Sequence, residues 1–325
     1  MPFDIIRQDI SLMDVDAIVS AVDYELSLGR GVSQSIHEQA GHEYSEELRR
    51  KGTIHSDEVF VTSGYNLRAK YVFHTLTPPW EGGFSSEVNQ LAQCYERLCD
   101  HALRMNVQSI AFPLLSSGNQ RFPKDKALKV AMSTLQRFVL SHDIQVYLVV
   151  YDFSSYFVSL KLATMVENYL HHNFKARKYE HEEIINYFDT EITIENSHVQ
   201  RKRPLRLEDR IAQTSLTFSQ RLIRLIDERR LGDSEVYHKA NIDRRLFSKI
   251  RSNDLYQPSK VTVIAFAIAL ELNIDETKDL LKSAGYALSN SQKFDVIIEF
   301  FIQNHRYNIY EINETLFHYN LPSLG

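Results

Sequence analysis

The 325-residue chain is poor in cysteine and has no long apolar run. Its two cysteines, Cys94 and Cys99, have a spacing that fits neither a disulfide framework nor a CxxC metal site. No segment approaches the ~20 apolar residues of a membrane-spanning helix, and the N-terminus lacks the basic and apolar regions of a signal peptide. We therefore expect a cytoplasmic protein with free thiols, no metal centre and no membrane contact.

An excess of charge is also missing. The formal net charge is −5, which argues against a surface that wraps nucleic acid as a whole but leaves room for a local basic face. Hydrophobic residues make up 43% and charged residues 24%, as in ordinary soluble globular proteins, so disorder is excluded as the main state. At roughly 100–200 residues per domain, the length predicts about two domains.

Residues 1–171 alternate short apolar runs with longer amphipathic stretches, which predicts an α/β domain with a mostly parallel or mixed sheet. The predicted strands are Phe3–Ile6, Ala17–Val19, Val59–Thr62, Tyr71–His74, Ser109–Pro113 and Val146–Val150. The predicted helices are Val32–Lys51, Glu87–Met105, Lys124–Leu140 and Ser155–Leu170.

The rest of the chain changes character twice. Residues 172–205 are rich in charge, including Arg201–Arg203, and predict a linker with a helical turn near Glu182–Phe188. Residues 206–325 show only short helical patterns and predict an all-α domain. Its predicted helices are Leu216–Arg229, Ser234–Ala240, Arg244–Ser252, Lys260–Leu272, Asp275–Ala284, Ser291–Asn304 and Ile309–Tyr319.

Two loops that follow predicted strands supply glycines just before a helix. They run from Ser20 to Val32 and from Leu114 to Pro123. In α/β sheets ligands bind beyond the carboxyl ends of the strands, and glycine lets backbone N–H groups approach an anion at a helix N-terminus. A glycine pair before a helix is more often just a tight turn, but two such loops in one domain favour an anion-binding site.

The residues of this domain resemble the macrodomain family. The matching positions are Asp9-Ile10, Asp16–Val19, Gly31-Val32, Ile36-His37, Ala40-Gly41, Tyr71–His74, Pro78–Trp80, Cys94-Tyr95, Phe112-Pro113, Ser117-Gly118 and Phe122-Pro123. The resemblance implies a three-layer α/β/α sandwich around a mixed sheet and a site for ADP-ribose or a related nucleotide, without a resident cofactor. Some members of the family hydrolyse ADP-ribosyl esters, O-acetyl-ADP-ribose or ADP-ribose 1″-phosphate.

The resemblance also implies roles for single residues. Asp9 would accept a hydrogen bond from the adenine amino group, although a cap or turn aspartate explains it too, and Ile10 would line the adenine pocket. The first phosphate loop would comprise Ser20, Asp23, Gly29, Arg30, Gly31 and Val32. The second would comprise Ser116, Ser117, Gly118, Asn119, Gln120, Arg121 and Phe122, with Phe122 beside the distal ribose.

Departures from the family pattern put hydrolysis in doubt. Hydrolytic members have Asn-Ala-Ala-Asn where this chain has Ser20–Asp23, and often an aspartate at the position of Ser33. A serine cannot replace a carboxylate as general base unless another base adjoins it, so no catalytic residue is assigned. Arg30 and Arg121 stand where the family has glycine. They either bind an additional phosphate or mark a decayed pocket whose arginines point to solvent or seal it.

The helical domain contains a helix, a turn at Asn241–Asp243 and a second helix, with Asp243 as a predicted N-cap. Up to about Tyr286, its apolar spacing resembles the lambda-repressor/Cro-like family. The resemblance implies DNA contacts from Arg244, Arg245, Ser248, Lys249 and Arg251. About 16 Lys and Arg balance about 16 Asp and Glu from Arg206 onward, so a protein-interaction module is an open alternative.

Three functions follow as hypotheses. The first is a regulator or sensor that binds ADP-ribose or a related nucleotide and acts on DNA or a protein partner. The second is an ADP-ribosyl or O-acetyl-ADP-ribose hydrolase, and the third is an inactive macrodomain scaffold that carries an interaction module. The apolar run Phe294–Tyr310 could in addition support a homo-oligomer.

Overall fold

The computed structural model describes residues 2–27, 29, 31–83, 85–151, 162–173 and 216–325. Most of the predicted linker, including the turn near Glu182–Phe188 and the basic run Arg201–Arg203, lies outside these residues, so the domain boundaries stay a prediction. In the described part, no helix is both long and apolar enough to cross a bilayer.

The N-terminal domain is built on a six-stranded sheet of order β1-β6-β5-β2-β4-β3. The strands are β1 (Phe3–Arg7), β2 (Ala17–Val22), β3 (Val59–Ser63), β4 (Tyr71–Leu76), β5 (Ser109–Pro113) and β6 (Gln145–Val150). Only β3 runs antiparallel to its neighbour, and the other pairs are parallel. The predicted mixed sheet is confirmed.

Helices cover both faces of this sheet. They are the 3₁₀ helix η1 (Ile10–Leu12), α1 (Val32–Ala40), α2 (His42–Lys51), α3 (Ser85–Arg104), α4 (Lys124–Val139) and the helical residues 162–173, here α5. Ile18 and Val72 pack on the side of α1 and α2, whereas Val19 and Phe73 pack on the side of α3 and α4. The three-layer α/β/α sandwich is therefore confirmed, because successive strand residues alternate between two apolar layers.

The predicted single helix Val32–Lys51 is wrong, since it breaks at Gly41. Gly41 has φ 94° and ψ −174°, which no helix contains. A Cβ at this position would lie 2.6 Å from Nδ2 of Asn66. The apolar periodicity continues across Gly41, so it does not predict the end of the helix there. The close approach of Asn66 to Gly41 is visible only in the folded structure.

Asp16 joins the amino ends of β2, β4 and β5 through hydrogen bonds. Its Oδ1 accepts a 2.6 Å hydrogen bond from Lys70 and its Oδ2 a 2.8 Å bond from the Gln108 N–H, while Ser109 Oγ accepts from the Asp16 N–H. Partial burial alone would raise the pKa of Asp16, but these bonds prevail and hold it below its usual value.

The described residues from 216 onward form helices and no strands, as predicted. These are α6 (Phe218–Glu228), α7 (Asp233–Lys239), α8 (Arg244–Ser252), α9 (Lys260–Ala269), α10 (Ile274–Ser283), α11 (Lys293–Gln303) and α12 (Ile309–His318). Asp243 caps α8 as predicted, because its side chain accepts from the Leu246 N–H at 2.9 Å. The helical domain packs against the first domain through α12 and β1, and through Tyr169 of α5, whose hydroxyl donates to Gln303.

Candidate functional site

Asp9 follows β1 at the carboxyl edge of the sheet and caps η1. Its Oδ1 accepts from the N–H and Oγ of Ser11 at 2.9 and 2.7 Å, and its Oδ2 accepts from Ser35 Oγ at 2.6 Å. Partial burial raises the pKa of Asp9, but the bonds from Ser35 and Ser11 outweigh it and the pKa lies below its usual value. The aspartate is thus an ionised acceptor fixed to α1, while Ile10 beside it is buried. Its contact with adenine stays a prediction.

Tyr151 is a candidate that sequence reasoning missed. It follows β6 directly and is 76% exposed, although it is a large aromatic residue. Because Val150 pairs with Arg7 in the parallel ladder, Tyr151 lies beside the segment that leads from β1 to Asp9. An aromatic ring next to a hydrogen-bond acceptor is a suitable platform for a nucleobase. An aromatic residue just after a predicted strand is the signal that could have found it.

The first loop leads from β2 into α1. Gly31 is the N-cap of α1 with φ 66°, a left-handed conformation that favours glycine, and it supplies no side-chain cap. Asp23 is exposed and turns back on its own loop, where it accepts from the N–H and Oγ of Ser27. Val32 is half-buried against the core, and Arg30 lies outside the described residues.

Two serines of this region are buried without a hydrogen-bond partner in the described structure. Ser33 Oγ, in the first turn of α1, would lie 3.2 Å from a Cβ placed on Gly29, so only glycine fits there without displacing it. Ser20 is fully buried, pairs in register with His74 and lies near the hydroxyl of Tyr44. Neither hydroxyl is bonded to a base that could activate water.

The neighbouring histidines have structural positions. His37 Nδ1 lies 2.9 Å from the carbonyl of Ser33, and His74 Nε2 lies 3.1 Å from Thr62 Oγ1. Burial lowers the pKa of His74 to about 3, so the ring is neutral at physiological pH.

The second loop is braced on both sides. Ser116 Oγ donates to the Pro78 carbonyl at 3.0 Å and Ser117 Oγ to the Leu114 carbonyl at 2.7 Å. The carbonyl of Gln120 accepts from the Trp80 N–H at 2.9 Å. Gly118 opens a turn that Arg121 closes by donating its N–H to the Gly118 carbonyl. The braces fix the backbone between β5 and α4 and leave the exposed Asn119 at the tip.

Arg121 and Phe122 differ sharply in exposure. Arg121 is exposed, has φ 56°, and its side chain makes no hydrogen bond or ion pair with the described residues. Phe122 is 2% exposed and lies under Trp80, with the ring centroids 4.7 Å apart. Trp80, which could have stacked on a base, covers this ring and carries Lys126 Nζ at 4.6 Å from its own centroid.

The N-terminus of α1 is electrostatically unusual. Among the helices whose first residues the structure describes, only α1 has neither a side-chain cap nor an acidic residue in its first turn. Its first N–H groups therefore lack the partners that helix starts normally have, and they carry the positive end of the helix dipole. Together with Ser33 Oγ, they form a donor set for an anion.

The basic residues of α8 are brought together on the surface. Arg244, Arg245, Ser248, Lys249 and Arg251 are all exposed. Arg251 pairs with Asp233 at 2.5 Å, and Lys249 lies 5.5 Å from the ring centroid of Tyr256. The described residues contain no cluster of His, Cys, Asp and Glu that could hold a metal ion.

Comparisons with known proteins match the N-terminal domain. The Macro domain family model matches residues 19–131. A macro domain-containing protein of Methanosarcina mazei is 39% identical over 150 residues, which cover 46% of this chain and 80% of that protein. A second one, from Mesorhizobium japonicum, is 38% identical over 131 residues, covering 40% of this chain and 74% of the relative.

Solved structures of macrodomains match a similar share of the chain. The Oceanobacillus iheyensis macrodomain with ADP is 27% identical, with a TM-score of 0.44 over 46% of this chain and 84% of that one. The Trypanosoma brucei macrodomain in complex with ADP-ribose is 26% identical, with a TM-score of 0.44 over 47% of this chain and 66% of that one. None of these findings supports the lambda-repressor/Cro-like resemblance of the helical domain, which stays a prediction.

Proposed function

The chain belongs to the macrodomain family through its N-terminal domain, and we propose that this domain binds ADP-ribose or a closely related nucleotide at the carboxyl edge of its sheet. The observation that carries the proposal is the position of α1. Its uncapped N-terminus offers donors for a pyrophosphate, and its Ser35 holds Asp9 as an acceptor for adenine. One helix thus links the two chemically different ends of such a ligand.

The adenine end of the ligand would lie between Asp9 and Tyr151. Asp9 is ionised at neutral pH, and its Oδ2, which accepts only from Ser35, has room for a further hydrogen bond, whereas Oδ1 already accepts two from Ser11. Tyr151 supplies an exposed ring at the end of β6, the strand that pairs with β1. Stacking on such a ring contributes about 1–3 kcal/mol per base.

The site favours binding over hydrolysis. Ser33 Oγ has no hydrogen-bond partner among the described residues. Of the two carboxylates in the first loop, Asp23 is bonded to Ser27 and Glu25 is exposed. A serine without an adjoining base does not deprotonate water at neutral pH. Because neither carboxylate is bonded to Ser33 in the described structure, the hydrolase hypothesis has less support than binding.

We propose that the helical domain acts on DNA or on a protein partner, which would make the chain a two-domain sensor or regulator. Arg244, Arg245 and Lys249 are exposed on α8 without a carboxylate partner in the described structure, as a DNA-reading helix requires. Against DNA, the preceding helix α7, which would cross the phosphate backbone, begins with Asp233 and Glu235. This second proposal is separable from the first.

Isothermal titration with ADP-ribose tests the first proposal. We expect binding by the full chain and an affinity at least about tenfold weaker for Asp9→Ala, because a hydrogen bond to a charged group contributes about 1.5–3 kcal/mol. Asp14→Ala, which changes an exposed aspartate of the same segment, is the matched control and should bind normally. Absence of binding to ADP-ribose and to its phosphorylated relatives would refute the proposal.

Gel shifts at several salt concentrations test the second. If α8 contacts DNA, the double change of Arg244 and Arg245 to alanine should lower the slope of log affinity against log salt by about 2, about 1 per lost phosphate contact. Arg49→Ala, an exposed arginine of α2, is the control. If the unaltered chain does not bind DNA even at low salt, the DNA alternative is refuted and the protein-partner alternative remains.

A further inference from the structure

Strand β1 is both the N-terminal strand and an edge of the sheet. It pairs only with β6, so every second residue turns its N–H and C=O away from the sheet. At Phe3 these groups are bonded by one side chain. The Phe3 N–H donates to Asn241 Oδ1 at 2.9 Å, and Asn241 Nδ2 donates to the Phe3 carbonyl at 2.7 Å. The side-chain amide of Asn241 thereby takes the place of a neighbouring strand.

This contact, the Asn241 clamp, comes from the turn between α7 and α8. Asn241 is fully buried and has φ 54°, a left-handed conformation that asparagine tolerates better than most residues. Its Nδ2 also lies 3.4 Å from the Leu324 carbonyl, and Asn313 bonds the N–H and C=O of Leu324 at 2.6 and 2.9 Å. The contact with Leu324, which Asn313 holds in place, therefore fixes the turn in addition to its hydrogen bonds with Phe3.

The clamp grips the strands that carry the adenine end of the proposed site. Asp9 follows β1 about 20 Å from Phe3, at about 3.3 Å per residue, and Tyr151 follows β6. A second contact reaches the amino end of β6, where His238 Nε2 lies 3.4 Å from Asp143 Oδ1. Helix α7 and its turn thus touch the amino ends of β1 and β6, whose carboxyl ends present Asp9 and Tyr151.

We propose that Asn241 is a positioning residue for the nucleotide site. An edge strand has only one neighbouring strand to hold it in the sheet, and β1 is paired with β6 alone. By bonding Phe3, the helical domain keeps β1 in the sheet and Asp9 in place. If β1 is ordered for only part of the time, the apparent affinity falls by that fraction. The inference rests on the proposed function, since it concerns the same site.

The test compares Asn241→Gly with Asn320→Gly in the full chain. Both asparagines have φ 54°, so glycine removes the side chain without backbone strain in either case, but Asn320 is exposed and its side chain makes no hydrogen bond to β1 in the described structure. For Asn241→Gly we expect faster hydrogen exchange at the Phe3 amide and about three- to tenfold weaker ADP-ribose binding. Asn320→Gly should change neither.

A double-mutant cycle separates positioning from general destabilisation. If the clamp acts through Asp9, Asn241→Gly should weaken binding much less in the Asp9→Ala background than alone. Additive effects, or normal affinity of Asn241→Gly despite faster exchange at Phe3, would overturn the inference while the unaltered chain still binds ADP-ribose. No binding by the unaltered chain would instead remove the proposed function and the inference with it.

Discussion

The helices of the two domains begin in different ways. Five helices of the helical domain have a side-chain cap, supplied by Thr217, Asp243, Ser259, Asn273 and Asn308. The other two, α7 and α11, have acidic residues in the first turn. In the macrodomain α1 has neither, although it starts at the edge of the sheet where ligands bind. The helical domain uses its helix starts for its own stability, whereas α1 leaves its donors available to an anion.

The largest expected effect concerns Lys260 and Asp295, and it tests whether a helix start of the helical domain serves stability and not binding. Asp295 lies in the first turn of α11, is 1% exposed and is bonded at 2.6 Å to Lys260 Nζ. Lys260→Met would leave this carboxylate buried without its cation, and we expect a loss of about 3 kcal/mol in the free energy of unfolding. Urea unfolding measures the loss, and ADP-ribose affinity should stay within twofold. Lys239→Met, which breaks an exposed pair with Glu235, is the control and should cost under about 0.5 kcal/mol.

Glu314, in the middle of α12, is an acidic residue of the helical domain that we expect to lower stability, unlike the acidic residues at the helix starts. Its side chain makes no hydrogen bond or ion pair with the described residues, and burial, followed by the charge of Glu311, raises its pKa from 4.5 to about 7. Between these values the folded chain binds more protons than the unfolded one, so stability falls as pH rises from 4.5 to 7 and stays reduced above.

Glu314→Gln should therefore raise the free energy of unfolding by about 2 kcal/mol at pH 8 and by much less at pH 5. Urea unfolding at the two pH values measures this, with the exposed Glu271→Gln as control. An equal effect at both pH values would mean that Glu314 is ionised in the fold and has a partner.

A cap of the helical domain should affect stability and not binding. Asn273 accepts from the Asp275 and Glu276 N–H groups at 3.0 Å, and Glu276 returns a bond to the Asn273 N–H. Asn273→Ala should lower the free energy of unfolding by about 1 kcal/mol. ADP-ribose affinity should be unchanged in the same titration used for Asp9→Ala. A weaker affinity would show that the helical domain influences the site by a route other than the Asn241 clamp.

The parts of this arrangement that follow from local patterns could be predicted from the sequence. Strand and helix periodicity gave the order of the elements, and Asp243 as a cap follows from its place before α8. The parts that depend on pairing could not. Tyr151 lies near Asp9 only because β6 pairs with β1, and Asn241 reaches Phe3 across 238 positions of the chain. No local pattern encodes a parallel register or a contact of that separation.

The smallest expected effect distinguishes the two interpretations of Arg121. Its φ of 56° costs a non-glycine residue about 1–2 kcal/mol, and glycine would relieve this but lose about 0.4–1 kcal/mol through its more flexible unfolded chain. Arg121→Gly should thus raise the free energy of unfolding by about 0.5 kcal/mol. If the unpaired guanidinium bonds a phosphate, the same change should weaken ADP-ribose binding by at least about threefold, whereas Arg121→Lys, which keeps the charge and loses the two-pronged contact, should keep only part of the affinity. Unchanged affinity in Arg121→Gly would instead mean that the arginine points to solvent and that α1 alone binds the anion.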